Sequence, residues 1–108
     1  MRSERMARVA VICPDLLFGS NVEGALRAAG HEVTRYDDLA GVDSPDVLVV
    51  DLNAVEVAPL PGVPSLGFYR HTDVDTRRRA EEAGFDVVVP RSRMARETAA
   101  LLERVLAR

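Results

Sequence analysis

Asp46-Val-Leu-Val-Val-Asp51-Leu-Asn53 is the stretch on which the reading of this chain turns. Val47 to Val50 offers no polar face, so it reads as a strand buried on both sides, the pattern of a parallel sheet covered by helices. Asp51 then stands at the carboxyl edge of that sheet, where open parallel folds gather their sites. A carboxylate in that place is a candidate for phosphoryl or metal chemistry. The chain contains no lysine, however, which argues that the usual version of that chemistry is not run here.

Upstream, Arg8-Val-Ala-Val-Ile-Cys13 reads as a buried first strand. Ser20-Asn-Val-Glu23 predicts a capping box that opens a helix, because hydroxyl and carboxylate can satisfy each other's backbone donors. Val22, Ala25, Leu26 and Ala29 fall on one helical face, and Gly30 supplies a left-handed exit. His31 to Tyr36 is a short, more polar strand suited to an edge. Downstream, Ser65-Leu-Gly-Phe-Tyr69 reads as the fourth strand, with Gly67 marking a close backbone approach. Thr72 or Asp73 caps a helix that ends at Gly84, and Phe85-Asp-Val-Val-Val89 is the fifth strand. Ser92 caps the last helix, whose apolar face is Met94, Thr98, Leu101, Leu102 and Val105.

Two connections are too short for the helices that usually cover such a sheet. Asp37 to Pro45 holds one or two helical turns at most, and Pro59 and Pro61 exclude an interior helix from Asn53 to Val63. The sequence shows no internal repeat, and 108 residues suit a single domain over residues 1–108.

Fourteen arginines stand against 17 acidic residues, for a formal net charge of −3. That balance gives no electrostatic footprint for nucleic acid. Cys13 is alone, so neither a disulfide framework nor a Cys/His metal cluster is expected. No apolar run approaches membrane-spanning length, and Met1 to Arg8 is polar, unlike a secretory signal. The expectation is a cytoplasmic protein without membrane partner, cofactor or metal.

With its strands in place, the chain resembles the receiver domains of two-component response regulators, which have a flavodoxin-like fold. Three blocks carry the resemblance. Arg8 to Val33 looks like the family's first strand, acidic turn and first helix. Asp46 to Asn53 is similar to the strand that ends in the phosphoacceptor aspartate. Pro64 to Arg91 looks like the fourth strand, a helix ending Glu82-Ala-Gly84, and a fifth strand running into Pro90-Arg91. The resemblance implies that Asp51 is the acceptor equivalent. It also implies that the site has lost its supporting groups. The magnesium-binding acidic pair falls on Cys13 and Pro14, with only Asp15 carboxylic one place further on. The small hydroxyl residue falls on Tyr69, and the lysine on Arg91. Phosphoryl transfer needs a cation on the transferring oxygens, and an arginine fork does not copy an ammonium point charge.

Each candidate has a plainer reading. Asp51 can be a structural carboxylate bonded to loop amides or paired with Arg91, since a buried carboxylate must find such partners. Cys13 precedes a helix start, where thiol enzymes and phosphocysteine carriers place theirs, yet free cysteine commonly packs as a small hydrophobe. Gly19-Ser20 could bind an anion or merely cap a helix. His31 reads as exposed, and His71 in Arg70-His-Thr-Asp73 reads as the turn into a helix. A small-ligand site along Phe18 to Ser20, Asp51 and Tyr69 to Asp73 lacks a glycine-rich phosphate fingerprint. Arg77, Arg78 and Arg79, with Arg93 and Arg96, are either a solvated face balanced by neighbouring acids or a protein contact.

The expected architecture is a five-stranded parallel sheet in the order 2-1-3-4-5, its second and third helices reduced or absent. The first and last helices then share one face, and the other keeps only the helix between the fourth and fifth strands. Leu52, Val55, Val57 and Leu60 would drape over that poorer face, and any apolar patch left bare would mark an interface. The expected function is a non-catalytic, self-associating receiver-like interaction module, independent of phosphorylation. The alternatives are a genuine phosphoacceptor on Asp51, a carrier or enzyme built on Cys13, and a small-ligand-binding protein.

Overall fold

The computed structural model describes residues 6–54, 58–70 and 72–107. Strands β1 (Arg8–Ile12), β2 (Glu32–Tyr36), β3 (Val47–Asp51), β4 (Ser65–Tyr69) and β5 (Val87–Pro90) are accompanied by helices α1 (Leu16–Ala28) after β1, α2 (Val74–Ala83) after β4 and α3 (Arg91–Leu106) after β5. The strands form one sheet in the order β2-β1-β3-β4-β5, parallel at every pairing. β1 and β3 sit side by side at the centre, so their carboxyl ends bring Cys13 and Asp51 together.

The period of two along each strand divides the core into two layers. Val9, Val11, Val47, Val49, Leu66 and Phe68 face α1 and α3, where Val22, Leu26, Met94, Leu101, Leu102 and Val105 complete the packing. Ala10, Ile12, Leu48, Val50 and Tyr69 face the other way, towards Ala80 of α2 and Phe85. Leu52, Leu60, Val63 and the Leu39–Gly41 turn cover what α2 leaves open. This cover suffices among the described residues, where Ala10, Ile12, Leu48 and Val50 are all 2% exposed or less, so the condition for a bare apolar patch is not met there. Val55 and Val57, expected in that cover and in an interface, lie outside the described residues.

Two helix starts differ from expectation. α1 begins one turn before the Ser20 box, capped by Asp15, whose side chain accepts the Phe18 amide at 2.9 Å. An aspartate after Pro14 is as good a cap as a serine, and it starts the helix one turn earlier. α3 begins at Arg91, so Ser92 is its second residue, and Pro90 precedes it without a side-chain cap. Glu97 departs from helical geometry inside α3, next to Thr98, whose hydroxyl donates to the Met94 carbonyl at 2.6 Å. Such back-bonding bends helices.

His31 is buried rather than exposed. Its Nδ1 accepts the Ala7 amide at 3.0 Å, and its Nε2 lies 3.5 Å from Glu103 on α3. Because Nδ1 is the acceptor, the proton of the neutral ring is assigned to Nε2, facing that carboxylate.

Two glycines have neighbours that explain them and one does not. A Cβ on Gly67 would meet Leu52 Cδ1 at 2.7 Å, so the close approach comes from a side chain laid across the sheet. A Cβ on Gly19 would overlap the guanidinium of Arg35. Gly24, in the middle of α1 on its exposed side, has nothing within 4 Å of that position. A helix-interior glycine costs about 0.5–1 kcal/mol relative to alanine.

Candidate functional site

Asp51 closes β3 at the carboxyl edge and is 5% exposed. Its Oδ1 accepts the amide of Asn53 at 3.1 Å, so the carboxylate shapes its own chain exit as an Asx turn. Asn53 then joins two strand ends. Its Oδ1 accepts the Arg70 amide at 2.6 Å, and its Nδ2 donates to Asp73 Oδ2 at 2.7 Å. Asp73 caps α2 and takes both the hydroxyl and the amide of Thr76, at 2.6 and 3.1 Å. Those Thr76 bonds hold its carboxyl below the usual range, helped by Asn53 and by the charge of Arg79.

Arg91, the first residue of α3, places a cation between two carboxylates. Its Nη2 donates to Asp15 Oδ2 at 3.1 Å and stands 3.8 Å from Asp51 Oδ2. The longer contact is an ion pair and not a hydrogen bond. The guanidinium carbon lies 4.4 Å from the ring centroid of Phe18, and that ring packs on Phe68 at 5.0 Å. Arg91 is therefore seated on an aromatic face while its charge serves an exposed carboxylate and a buried one. The bond from the Phe18 amide holds the Asp15 carboxyl below its ordinary value, with Arg91 adding to the effect.

Cys13 lies beneath this pair. Its Sγ is 3.9 Å from Asp51 Oδ2 and 3.9 Å from the Asp15 carbonyl. Burial pushes the thiol up from its ordinary value, and the negative charge of Asp51 pushes the same way. A reactive thiol needs the opposite environment.

Arg35 completes the site, and the sequence reading passed over it. From β2 its Nη2 donates to the carbonyls of Cys13 and Asp15 at 2.9 and 3.3 Å, and its Nη1 donates to Ser20 Oγ at 3.4 Å. The expected capping serine is thus an acceptor for Arg35 in the second turn of α1. Arg35 shares the parity of buried Val33 in β2, and Gly19 leaves room for it on the adjoining helix. Those two signals together could have found it. Phe18 and Asn53 were also readable, one as the seat of Arg91 and the other as the link between strands.

The remaining candidates do not join this cluster. Tyr69 is 6% exposed and packs in the layer under α2. Pro14 contributes no ligand atom from its side chain. Leu60 is part-buried in the core cover and is not a free contact residue. On α2, Arg77 pairs with Glu81 at 3.4 Å, Arg78 lies 4.0 Å from Asp75, and Arg79 donates to Thr76 at 3.2 Å. On α3, Arg93 and Arg96 both turn to Glu97, at 3.3 and 3.9 Å. Each of those arginines thus has a partner on its own helix. His71 lies outside the described residues. A recess of about 240 Å³ opens beside Cys13, Pro14, Leu16, Arg35, Tyr36 and Asp37, and a larger one of about 560 Å³ lies at the opposite, amino edge of the sheet.

Magnesium, which the resemblance implies for such a site, does not fit these residues. The ion wants near-octahedral oxygen ligands with at least one or two carboxylates. Here Asp15 and Asp51 already face one guanidinium, and Cys13 and Pro14 supply no carboxylate. Among the described residues, no group of three or more His, Cys, Asp or Glu side chains is placed to hold a metal.

Solved structures place the fold. NtrX from Brucella abortus superposes with a TM-score of 0.81 at 19% identity, over 94% of this chain. This chain has the receiver-domain fold. A response regulator from Chloroflexus aurantiacus J-10-fl matches at 0.78 and 21% identity, with 96% of this chain and 100% of that one covered. The non-phosphorylated HemR receiver domain from Leptospira biflexa matches at 0.70 and 20%, with 94% of both chains covered. The chain spans 27% of the length of NtrX, so the receiver fold is what the two share. No protein-family model matches the chain, and no curated protein does. Within the receiver fold, the three helices leave the β2–β3 and β3–β4 connections without α-helix among the described residues. No helix among them is long and apolar enough to cross a membrane.

Proposed function

We propose that this protein is a receiver-like signalling module that acts through protein contact, self-association included, and not through phosphoryl transfer. The observation that carries the reading is the guanidinium of Arg91, 3.1 Å from Asp15 and 3.8 Å from Asp51. A receiver that toggles must admit a mobile cation and a phosphoryl group beside its aspartate. Here a tethered cation already neutralises that carboxylate, Asn53 occupies one of its oxygens, and the thiol of Cys13 stands where a carboxylate would be needed. Transition-state charge would meet one fixed arginine and no preorganised metal cage. Asp51 is then a structural anchor, and neither it nor Cys13 serves as a catalytic nucleophile.

The test is incubation with acetyl phosphate and magnesium, followed by intact-mass measurement. The expected result is an unmodified chain. One added phosphoryl mass that disappears in Asp51→Asn would establish the genuine phosphoacceptor instead.

A further inference from the structure

α1 carries an exposed face that no described residue covers. Leu16 and Leu17 are 79% and 76% exposed, although both stand in the first turn of a helix whose other side is core. Counting from Leu17, the outward residues are Asn21, Gly24 and Ala28, at spacings of four, three and four. That is the spacing of a two-helix seam. The seam itself is uncharged; beside it Arg27, 53% exposed, bonds Glu23 at 2.8 Å and the Val33 carbonyl at 2.7 Å. Gly24 sits in this seam without positive φ and with open space where a side chain would go. Gly19 and Gly67 are required by neighbours within the chain, and Gly24 is not.

We propose that this face is the site at which a second copy of the chain docks, its α1 antiparallel to the first. The sequence of the seam is complementary to itself in that direction only. Antiparallel pairing sets Leu17 against Ala28 of the second copy and Asn21 against its Gly24, so each large side chain meets a small one. Parallel pairing would set leucine on leucine and glycine on glycine. Asp15 and Arg27, each also paired within its own chain, are 45% and 53% exposed at opposite ends of α1, so antiparallel helices bring opposite charges and opposite dipole ends together. One helix face is smaller than the surface a tight dimer buries, so the association is weak and reversible. This inference rests on the self-association in the proposed function and names the surface that performs it.

Sedimentation velocity over a protein concentration series tests it, on the full chain and on Gly24→Arg and Leu17→Glu. Both substitutions are at exposed positions with space for the new side chain, and unchanged thermal melts of dilute samples confirm folding. The wild type should dimerise and both variants should weaken dimerisation at least about tenfold. Direction is read by oxidative cross-linking in a Cys13→Ser background. An equimolar mixture of Leu17→Cys and Ala28→Cys chains should link to each other faster than either links to itself. A dimer indifferent to both variants, or one in which Leu17→Cys links best to itself, overturns the α1 surface and leaves self-association standing. A wild type that stays monomeric throughout the series removes self-association as well.

Discussion

Replacing Arg91 by alanine, alone and together with Asp51→Asn, measures how far the tethered cation is bound to the buried carboxylate. At 3.8 Å and an effective dielectric constant of ~20, the gross attraction is about 4 kcal/mol. Arg91 is 31% exposed, so solvent screens the pair, and a net coupling of about 1–2 kcal/mol remains, between the values for exposed and buried pairs. The guanidinium over Phe18 at 4.4 Å contributes about another 0.5–1 kcal/mol. The Asp15 contact adds little, because that carboxylate is 45% exposed, as surface pairs give about 0–1 kcal/mol. Arg91→Ala should therefore destabilise the fold by about 2–3 kcal/mol, as the sum of these terms and the buried charge left behind. Asp51→Asn keeps an acceptor for the Asn53 amide while removing the buried charge, so its effect should stay within about 1 kcal/mol of zero. Urea denaturation followed by circular dichroism gives all four corners of the cycle, at dilution below any self-association. The cation–π share appears in both Arg91 corners and cancels, so the coupling reports the ion pair. A coupling below about 0.3 kcal/mol would mean that Arg91 and Asp51 are neighbours without being partners, and the locked-site reasoning would fail.

Lowering the pH should cost stability through Asp15 and Asp73. Both carboxyls are held below 3.8 in the folded state, so their contribution is present above that value and is lost as pH falls through it; urea denaturation from neutral to acid pH checks this, and a flat profile refutes it. The thiol of Cys13 is displaced upward from 9.0, so alkylation should be slow at neutral pH and accelerate only above the ordinary thiol range. Above 9.0 the unfolded chain loses that proton first, so this group lowers stability as pH rises; rapid alkylation of the native protein at neutral pH would contradict the burial. Gly67→Ala should destabilise by about 1–3 kcal/mol, because its Cβ would stand 2.7 Å from Leu52 Cδ1 and force that side chain off the sheet. A neutral result in urea denaturation would mean that Leu52 repacks freely.

The layers were legible because they follow from strand periodicity alone. An all-apolar run such as Val47 to Val50 has one stable setting, a central parallel strand, and all of its residues are buried in β3. The face of α3 was legible for the same reason, as Met94, Thr98, Leu101, Leu102 and Val105 all face inward. Helix starts were less so. Asp15 and Ser20 both have the chemistry of a cap, and the choice between them depends on Arg35, which claims Ser20 Oγ from another strand. His31 was misread because its partner is a backbone amide 24 residues away, a contact no local pattern records. The cover of the poorer face depends on Leu39, Val42, Leu60 and Val63 folding back from irregular segments, where periodicity carries no signal.

A mobile cation and a tethered one differ in what they allow a site to do. An ion that binds and leaves gives a carboxylate two charge states at fixed covalent structure, and a bistable element can be biased by the difference. Arg91 cannot leave: it is fixed at the first turn of α3 by its backbone, by Phe18 beneath it and by Asp15 beside it. Arg35 fixes the other side of the same cluster, since it holds the carbonyls of Cys13 and Asp15 from β2. With both loops fastened by arginines, the carboxyl edge on the proposed reading has a single electrostatic state. On that reading whatever varies lies elsewhere, and one feature of the described fold left without an account is the outer face of α1. On the proposed reading, a module of this kind would carry information by being bound or unbound, and its concentration would do the work that phosphorylation does in a toggling site.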